Sequence, residues 1–265
     1  MNTKALLEEI KTIAQEFDKI TLEEMDGVKL MDRMDVKYLI PLHILGPILE
    51  DAKAHYKLLE INQERLCAYE TLYYDTESLD LYHTHQRGRG SRYKVRFRNY
   101  VGSNLSFFEI KFKNNKGRTL KTRIKQPNVF EPKLNAEEAA FLEKTTPMRA
   151  HKLVGNLKVN YDRMTLVNKC SKERLTLDLN LTFLKAEKQK TYSQVVVAEV
   201  KQERLGASAI IDIFKKYNLR AGSISKYCLG VMSTENEVKA NRFKPNFLHL
   251  NKIIRQYDTF ARATS

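Results

Sequence analysis

Basic side chains recur at every second position of a short stretch that alternates in the manner of a β-strand. Its even positions are Arg92, Lys94, Arg96 and Arg98, and apolar residues occupy most of the odd positions. Because successive side chains of a strand point to opposite faces, the four cations share one face. Like charges at such spacing repel each other unless an anion lies between them. The pattern therefore predicts a surface that binds a polyanion.

Two further stretches repeat this arrangement. The first has Lys111 and Lys113 on the basic side, with Glu109 as its single acid. The second contributes a row of cations at the same period: Lys121, Arg123 and Lys125. The apolar residues between the cations would face the other way, towards covering helices. Curving such strands into a barrel would turn the basic face into a lined channel, whose Arg and Lys side chains converge on phosphate oxygens.

Two other stretches could complete the channel, because each places an acid among cations on one strand face. "RMDVK" has Arg33, Asp35 and Lys37 on one side, and "VAEVK" has Glu199 and Lys201. A carboxylate in this setting is either part of an internal ion pair or a ligand for Mg²⁺ or Mn²⁺, which oxygen ligands suit and which bridge to phosphate. For Asp35, an internal ion pair is at least as good an interpretation as a metal ligand. For Glu199, in an otherwise apolar strand, we predict the metal.

The composition sets limits on the class of protein. The chain has 265 residues, enough for one large domain or two small ones, and its formal net charge is +14. Such a charge favours polyanionic partners: nucleic acid, an anionic membrane or phosphorylated molecules. The three cysteines show no paired spacing, which is typical of a reducing compartment. We expect a cytoplasmic protein without a signal peptide or a transmembrane segment.

The periodicity of the whole chain predicts a single α+β domain over 1–265, with a core at about 28–232, in which antiparallel strands predominate. Helical patterns occur at 3–17, 42–57, 77–88, 135–144, 206–219 and 246–262. Beside the basic strands, strand patterns occur at 31–40, 67–76, 156–167, 173–185 and 192–203. Residues 223–232 are predicted as a strand or a strand-to-helix junction.

Eight segments, taken in order, resemble the VTC domain (vacuolar transporter chaperone) of the triphosphate tunnel metalloenzyme, or CYTH-like, superfamily. They are "RMDVKYLIP", "YYDT", "LYHTHQ", "RYKVRFRNY", "FFEIKFK", "NYDRM", "VVVAEVK" and "SISKYCLG". The resemblance runs from about Arg33 to Gly230. It implies an antiparallel eight-stranded β-barrel tunnel, lined by Arg and Lys and flanked by α-helices. It also implies synthesis of inorganic polyphosphate from ATP with a divalent metal, usually Mn²⁺.

The resemblance assigns phosphate contacts to several cations. Lys37, Arg96, Arg98 and Lys111 would hold the triphosphate or the growing chain, and the last three would be the catalytic residues. A basic residue of "LKTRIK" would join them, either Lys121 or Arg123, and the choice between these two is left open. The substrate-binding set is completed by cations of the same strand faces: Arg33, Lys94, Lys121 or Arg123, and Lys201.

The resemblance also assigns roles outside the basic strands. Tyr161 and Arg163 of "NYDRM" would contact phosphate from the opposite wall. Ser225 and Lys226 of "SISKY" would close the end of the site. Glu199 would coordinate the metal, Mn²⁺ or Mg²⁺.

The sequence departs from the family pattern at two places. The wider superfamily opens with an ExExK strand, where this chain has Arg33, Asp35 and Lys37. That change fits the polymerase branch and argues against a plain triphosphatase, because two metal-binding carboxylates become one. The family also has a lysine two residues before the serine of the "SKY" segment, where this chain has Ser223. One cation of the tunnel is therefore missing.

The sequence thus predicts metal-dependent phosphoryl transfer on ATP and polyphosphate in a basic tunnel, with a polyphosphate polymerase as the first interpretation. Hydrolysis of inorganic or nucleoside triphosphate is the alternative among enzymes. A non-catalytic binder of polyphosphate or nucleotides is the alternative from another class. We expect no nucleic acid partner, because Tyr93 and Phe97 face away from the cations instead of stacking among them. The oligomeric state is left open.

Overall fold

A computed structural model describes residues 2–26, 34–203 and 206–264, so the predicted phosphate contact Arg33 lies outside the described residues. The strands are β1 (Lys19–Ile20), β2 (Met34–Pro41), β3 (Tyr56–Leu59), β4 (Cys67–Asp75), β5 (Arg92–Tyr100), β6 (Leu105–Lys113), β7 (Thr119–Gln126), β8 (Val154–Asn168), β9 (Glu173–Lys185), β10 (Lys188–Tyr192), β11 (Val195–Gln202) and β12 (Ala221–Gly222). The helices are α1 (Thr3–Gln15), α2 (Leu22–Asp26), α3 (Leu45–Ala52), α4 (Asp80–Gln86), α5 (Ala136–Thr145), α6 (Ala209–Lys216), α7 (Lys226–Thr234) and α8 (Lys244–Ala263).

One sheet takes in all of these strands. Its continuous path runs β12-β2-β11-β9-β8-β4-β5-β6-β7, while β10 pairs with β9, and β3 connects β8 to β1. Between described strands, every ladder is antiparallel except that of β1 with β3. The predicted α+β fold, a large antiparallel sheet with flanking helices, is confirmed. In the described ranges the sheet has twelve strands instead of eight, and its end strands β7 and β12 do not pair with each other.

The sheet curves, so that strands far apart along its path face each other. Four strands separate β6 from β11, which would place the two about 24 Å apart in a flat sheet. Nevertheless, the carboxylate of Glu199 on β11 interacts electrostatically with the amine of Lys111 on β6. A direct contact spans the same hollow, because Ser225 at the start of α7 accepts a hydrogen bond from Lys94 on β5 at 3.0 Å. The cationic strand faces therefore line the concave side.

Helices cover the convex side, as the alternating apolar residues predict. Val95, Phe108 and Ile110 of the basic strands pack in one cluster with Leu142 of α5. A larger cluster joins α1, α3 and α6 to the outward residues of β2, β8, β9 and β11. The concave side is also filled at one end, where apolar residues of α7 pack on β8, β9 and β11. The remaining hollow is bounded by the start of α7 and the cationic strands.

Three of the predicted elements differ from the structure. The helix predicted over 42–57 consists of a 3₁₀ turn at Leu42–Ile44 and α3, and its last residues belong to β3. The strand predicted over 192–203 is divided into the end of β10 and the whole of β11. The segment 223–232 is not a strand: from Lys226 onward it belongs to α7, which Ser225 caps by accepting the backbone N–H of Cys228 at 3.3 Å.

The described segments contain eight α-helices, of which α8 is the longest at 20 residues. Within those segments, no helix is both long enough and apolar enough to cross a bilayer.

Candidate functional site

The pairing register places the predicted cations of β5, β6 and β7 in rows across the concave face. The rows consist of Lys94, Lys111 and Lys121, and of Arg96, Glu109 and Arg123. Side chains that lie directly opposite each other on neighbouring strands are close enough to interact. The first row is therefore a line of three repelling charges, and the second has an acid between two guanidinium groups.

Glu109 is a buried acid that the sequence pattern does not single out as a site residue. Its side chain has an exposed fraction of 0%, its Oε2 accepts the Nε–H of Arg96 at 2.8 Å, and its Oε1 lies 2.7 Å from Nζ of Lys121. Burial alone would raise the pKa of Glu109, but Arg96, Arg98 and Lys121 hold it far below its usual range. The signal in the sequence is its position as the one acid on a basic strand face.

Other cations of this face form no ion pair with an acid in the part of the chain that the structure describes. Arg98 is buried, with an exposed fraction of 7%. Lys111 makes neither a hydrogen bond nor an ion pair there, and its pKa is well below the usual range because of the Arg96 charge and then burial. Lys94 donates to the hydroxyl of Ser225 at 3.0 Å, and burial lowers the pKa of its amine. The face therefore holds more positive charge than its own acids neutralise.

Lys121 and Arg123, the two candidates on β7, differ in their surroundings. Both point to the same face, since they lie opposite Lys111 and Glu109. Both residues are exposed, but Lys121 contacts the buried carboxylate of Glu109, whereas the guanidinium of Arg123 lies over the ring of Phe107 at 4.1 Å. The structure therefore connects Lys121, and not Arg123, to the buried cationic cluster.

The opposite wall is built around Asp178, a second acid that the sequence pattern does not single out. Arg163 donates to both of its oxygens, from Nε at 2.5 Å and from Nη2 at 2.8 Å, and Lys226 binds it as well. The ring of Tyr161 lies beside both cations, 5.2 Å from Cζ of Arg163 and 5.0 Å from Nζ of Lys226. Its hydroxyl is buried and has no hydrogen-bond partner among the described residues. That hydroxyl is available to a bound ligand.

Glu199 on β11 lies among two lysines and another acid. Nζ of Lys201 is 3.6 Å from its Oε1 and donates to Thr176 at 3.1 Å. Burial alone would raise the pKa of Glu199, but Lys201 and Lys37, together with a hydrogen bond involving Asp35, hold it well below its usual range. Burial lowers the pKa of Lys201 to about 8. The described ranges contain no group of three or more His, Cys, Asp or Glu that could hold a metal ion.

The helix α7 directs its positive end at this hollow. Ser225 is its N-cap and Lys226 its first residue, so the partly positive N-terminus of the helix adds to the side-chain charges. Together, the curved sheet and α7 bring Lys94, Arg98 and Lys111 into one enclosure with the opposite wall. Such an enclosure suits an elongated anion with several charges.

The comparison with protein families decides which family this arrangement represents. The model of the VTC domain matches residues 32–235, a range that contains every strand and side chain of the site described above. The chain belongs to the VTC domain family. The match ends before the 3₁₀ turn at Asn241–Phe243 and before α8, so these parts of this VTC protein lie beyond the family region.

Other comparisons give only distant relatives of this VTC domain. No curated protein matches its sequence. A candidate adenylate cyclase from Vibrio parahaemolyticus is 13% identical with a TM-score of 0.43, and the match covers 82% of this chain and 99% of that one. A Hippeastrum protein described as having a dominant triphosphatase activity is 13% identical with a TM-score of 0.45, with 78% and 98% covered. At this level of similarity, neither relative establishes an activity for this chain.

Proposed function

We propose that this VTC domain is a metal-dependent polyphosphate polymerase, which transfers the γ-phosphoryl group of ATP to a polyphosphate chain inside the basic hollow. The observation that carries the proposal is the charge of Arg98 and Lys111, neither of which forms an ion pair with an acid among the described residues. A buried cation without a partner is costly. An ATP triphosphate or a polyphosphate chain would supply the missing negative charge.

The side chains of the hollow fall into two roles. Arg98, Lys111 and Lys94 would bind phosphate oxygens directly with charge-assisted hydrogen bonds, since the one hydrogen bond that Arg98 donates to Thr71 and the one that Lys94 donates to Ser225 leave further N–H donors on each side chain. Arg96 is oriented by the Glu109 carboxylate, which leaves its Nη1 pointing to the hydroxyl of Tyr73 at 3.4 Å. From the opposite wall, the unpartnered hydroxyl of Tyr161 can donate to a phosphate oxygen.

The donor set near Glu199 fits a divalent cation. Mg²⁺ and Mn²⁺ at phosphate sites are held by one or two carboxylates, with the remaining positions taken by phosphate oxygens and water. Glu199, joined to Asp35 by a hydrogen bond, provides such a pair of carboxylates, and no third acid is needed. Bound there, Mn²⁺ or Mg²⁺ would neutralise part of the charge that develops on the leaving phosphate.

The proposed reaction is an in-line displacement at phosphorus. An oxygen of the terminal phosphate of the chain forms a bond to the γ-phosphorus of ATP. The bond between that phosphorus and the oxygen bridging to the β-phosphate breaks, and ADP leaves with the electron pair. Positioning and electrostatic stabilisation account for most of the catalysis in such reactions, so no covalent protein nucleophile is required.

The direct test is incubation of the purified protein with ATP and Mn²⁺ or Mg²⁺, followed by separation of ADP, free phosphate and polyphosphate. We expect one molecule of ADP for each phosphate that is added to polyphosphate. Free phosphate in place of polyphosphate would mean that water is the acceptor and that the protein is a triphosphatase. Tight binding of polyphosphate without turnover would instead identify a binding protein.

A pair of variants connects the activity to the hollow. Lys111→Gln removes a cation that forms no ion pair in the described chain, and we expect it to abolish turnover while the protein stays folded. Lys116→Gln is the matched control, because Lys116 is exposed in the turn between β6 and β7. Equal activity of the two variants would exclude Lys111 from the site.

A further inference from the structure

A second group of cations lies at the Arg92 end of β5, outside the set that would hold a triphosphate. Arg92 lies directly opposite Lys113 on β6. Arg242 reaches the same region from the 3₁₀ turn at Asn241–Phe243, which follows the residues matched by the family. None of the three forms an ion pair with an acid in the described ranges. The concentration of charge is therefore unbalanced.

Arg242 lies against Gly88, although its side chain is exposed. Its guanidinium lies directly on Gly88: a Cβ added at that glycine would be 2.4 Å from Cζ of Arg242. Gly88 has a φ of +74°, in the left-handed region that glycine adopts without strain. The neighbouring Phe243 packs its ring against His85, with the centroids 5.4 Å apart. Arg242 thus belongs to the rim of the hollow.

His85, the histidine beside this group, offers no compensating charge. His85 lies among four cations, and burial together with the charges of Lys94, Arg92, Lys113 and Arg242 lowers the pKa of its imidazole to about 3. It is therefore neutral at physiological pH. Burial and the charge of Arg242 also lower the pKa of Arg92. Like charges held together in this way are relieved when an anion binds between them.

The length of the cationic row shows how far the anion must extend. From Arg98 to Arg92 the strand advances by six residues, or about 20 Å, which is longer than a triphosphate. We propose that Arg92, Lys113 and Arg242 form a subsite for phosphates of a linear polyphosphate chain that continue past the triphosphate. This inference rests on the proposed function and adds the feature by which the protein distinguishes long polyphosphate from triphosphate.

Titration calorimetry with two inorganic probes tests the subsite: tripolyphosphate and long-chain polyphosphate, at the same pH and ionic strength. Arg242→Gln should weaken the binding of the long chain by about five- to tenfold. For this variant and the long chain, the slope of log K against log salt concentration should also become shallower by about one unit. The binding of tripolyphosphate should not change. Arg255→Gln is the matched control. Arg255 is exposed on α8 and lies about 17 Å from the start of that helix.

Lys111→Gln separates this inference from the proposed function, because Lys111 lies in the part of the hollow that both anions would occupy. We expect this substitution to weaken the binding of both tripolyphosphate and long-chain polyphosphate. If it does so while Arg242→Gln changes neither, or changes both equally, the subsite is wrong and the proposed function stands. If the wild-type protein binds neither anion, or if Lys111→Gln leaves both affinities unchanged, the proposed function fails and the subsite fails with it.

Discussion

Arg96 and Glu109 form a buried ion pair in the middle of the cationic face, with Nε of the guanidinium 2.8 Å from Oε2 of the carboxylate. The pair neutralises and orients one cation, whereas the adjacent Arg98 and Lys111 form no ion pair with an acid in the described chain. The same surface thus contains one cation that is neutralised by folding and others that no ion pair neutralises. We expect the two kinds to respond differently to mutation.

Glu109→Gln should destabilise the fold, because it leaves Arg96 and Lys121 without the carboxylate that both contact. Loss of one partner from a buried ion pair lowers the free energy of unfolding by about 3–5 kcal/mol. Urea unfolding measures this change, and added tripolyphosphate should restore more stability to the variant than to the wild type. Glu187→Gln, in the exposed turn between β9 and β10, should be neutral. Equal unfolding midpoints for the two variants would contradict the role of Glu109.

The affinity for tripolyphosphate should fall as the pH rises through the lowered pKa of Lys111. The Arg96 charge and burial keep this pKa well below its ordinary value of 10.5. The ammonium therefore loses its proton at a lower pH than in the unfolded chain. Between the two values the unfolded chain binds more protons, so this group makes the ligand-free protein more stable as the pH rises. Binding has the opposite dependence, because the anion needs the charged form.

Lys111→Arg tests this pH dependence directly. An arginine stays protonated throughout the accessible range, so we expect a flatter profile of Kd against pH than in the wild type. The measurement is calorimetric titration with metal-free tripolyphosphate at a series of pH values. Identical profiles for the two proteins would show that another group causes the dependence.

Two serine caps with the same geometry separate stability from function. Ser225 caps α7 and Ser208 caps α6, and each hydroxyl accepts a backbone N–H at 3.3 Å. Either serine replaced by alanine should lower the free energy of unfolding by about 1 kcal/mol. Ser225→Ala should also weaken tripolyphosphate binding by about two- to fivefold, because Ser225 holds the ammonium of Lys94. If both variants bind tripolyphosphate equally, that contact has no role in the site.

Glu199→Gln should remove the dependence of binding on Mn²⁺ without removing binding itself. The variant loses a carboxylate oxygen that a divalent cation requires, while Lys201 and Lys37 keep their positive charge. Titration of tripolyphosphate at increasing Mn²⁺ concentration measures the effect. Glu203→Gln is the control, since Glu203 is exposed just after β11. A Mn²⁺ response that survives in Glu199→Gln would assign the metal to another group.

The sequence was informative where the physical signal is local. The alternation from Arg92 to Arg98 predicts a strand with one cationic face, and the helical pattern at 135–144 corresponds to α5, which the Asn135 side chain caps. It was less informative at α7, because a short segment that is mostly apolar has the same appearance in a strand and in a buried helix. The hydrogen bond from Cys228 to Ser225 resolves that ambiguity.

The acids of the site show a different limit. Glu109 and Asp178 are each one acid on an alternating strand, a pattern that also describes a residue exposed to water. Their burial depends on the strands that pair beside them and on cations from distant segments, such as Lys226 at Asp178. Arg242 is a further case, since its place on Gly88 follows from the packing of a turn beyond the family region.

The antiparallel α+β fold, the basic strand faces and the resemblance to the VTC family can be predicted from the sequence. Periodicity and residue type are carried by neighbouring positions, so these features can be seen without a structure. The distribution of charge cannot be predicted in this way: which cations are neutralised, and which form no ion pair, is visible in the folded structure alone. That distribution depends on strand register and on the curvature that brings Lys111 within electrostatic reach of Glu199, and both arise from contacts between residues far apart in the chain.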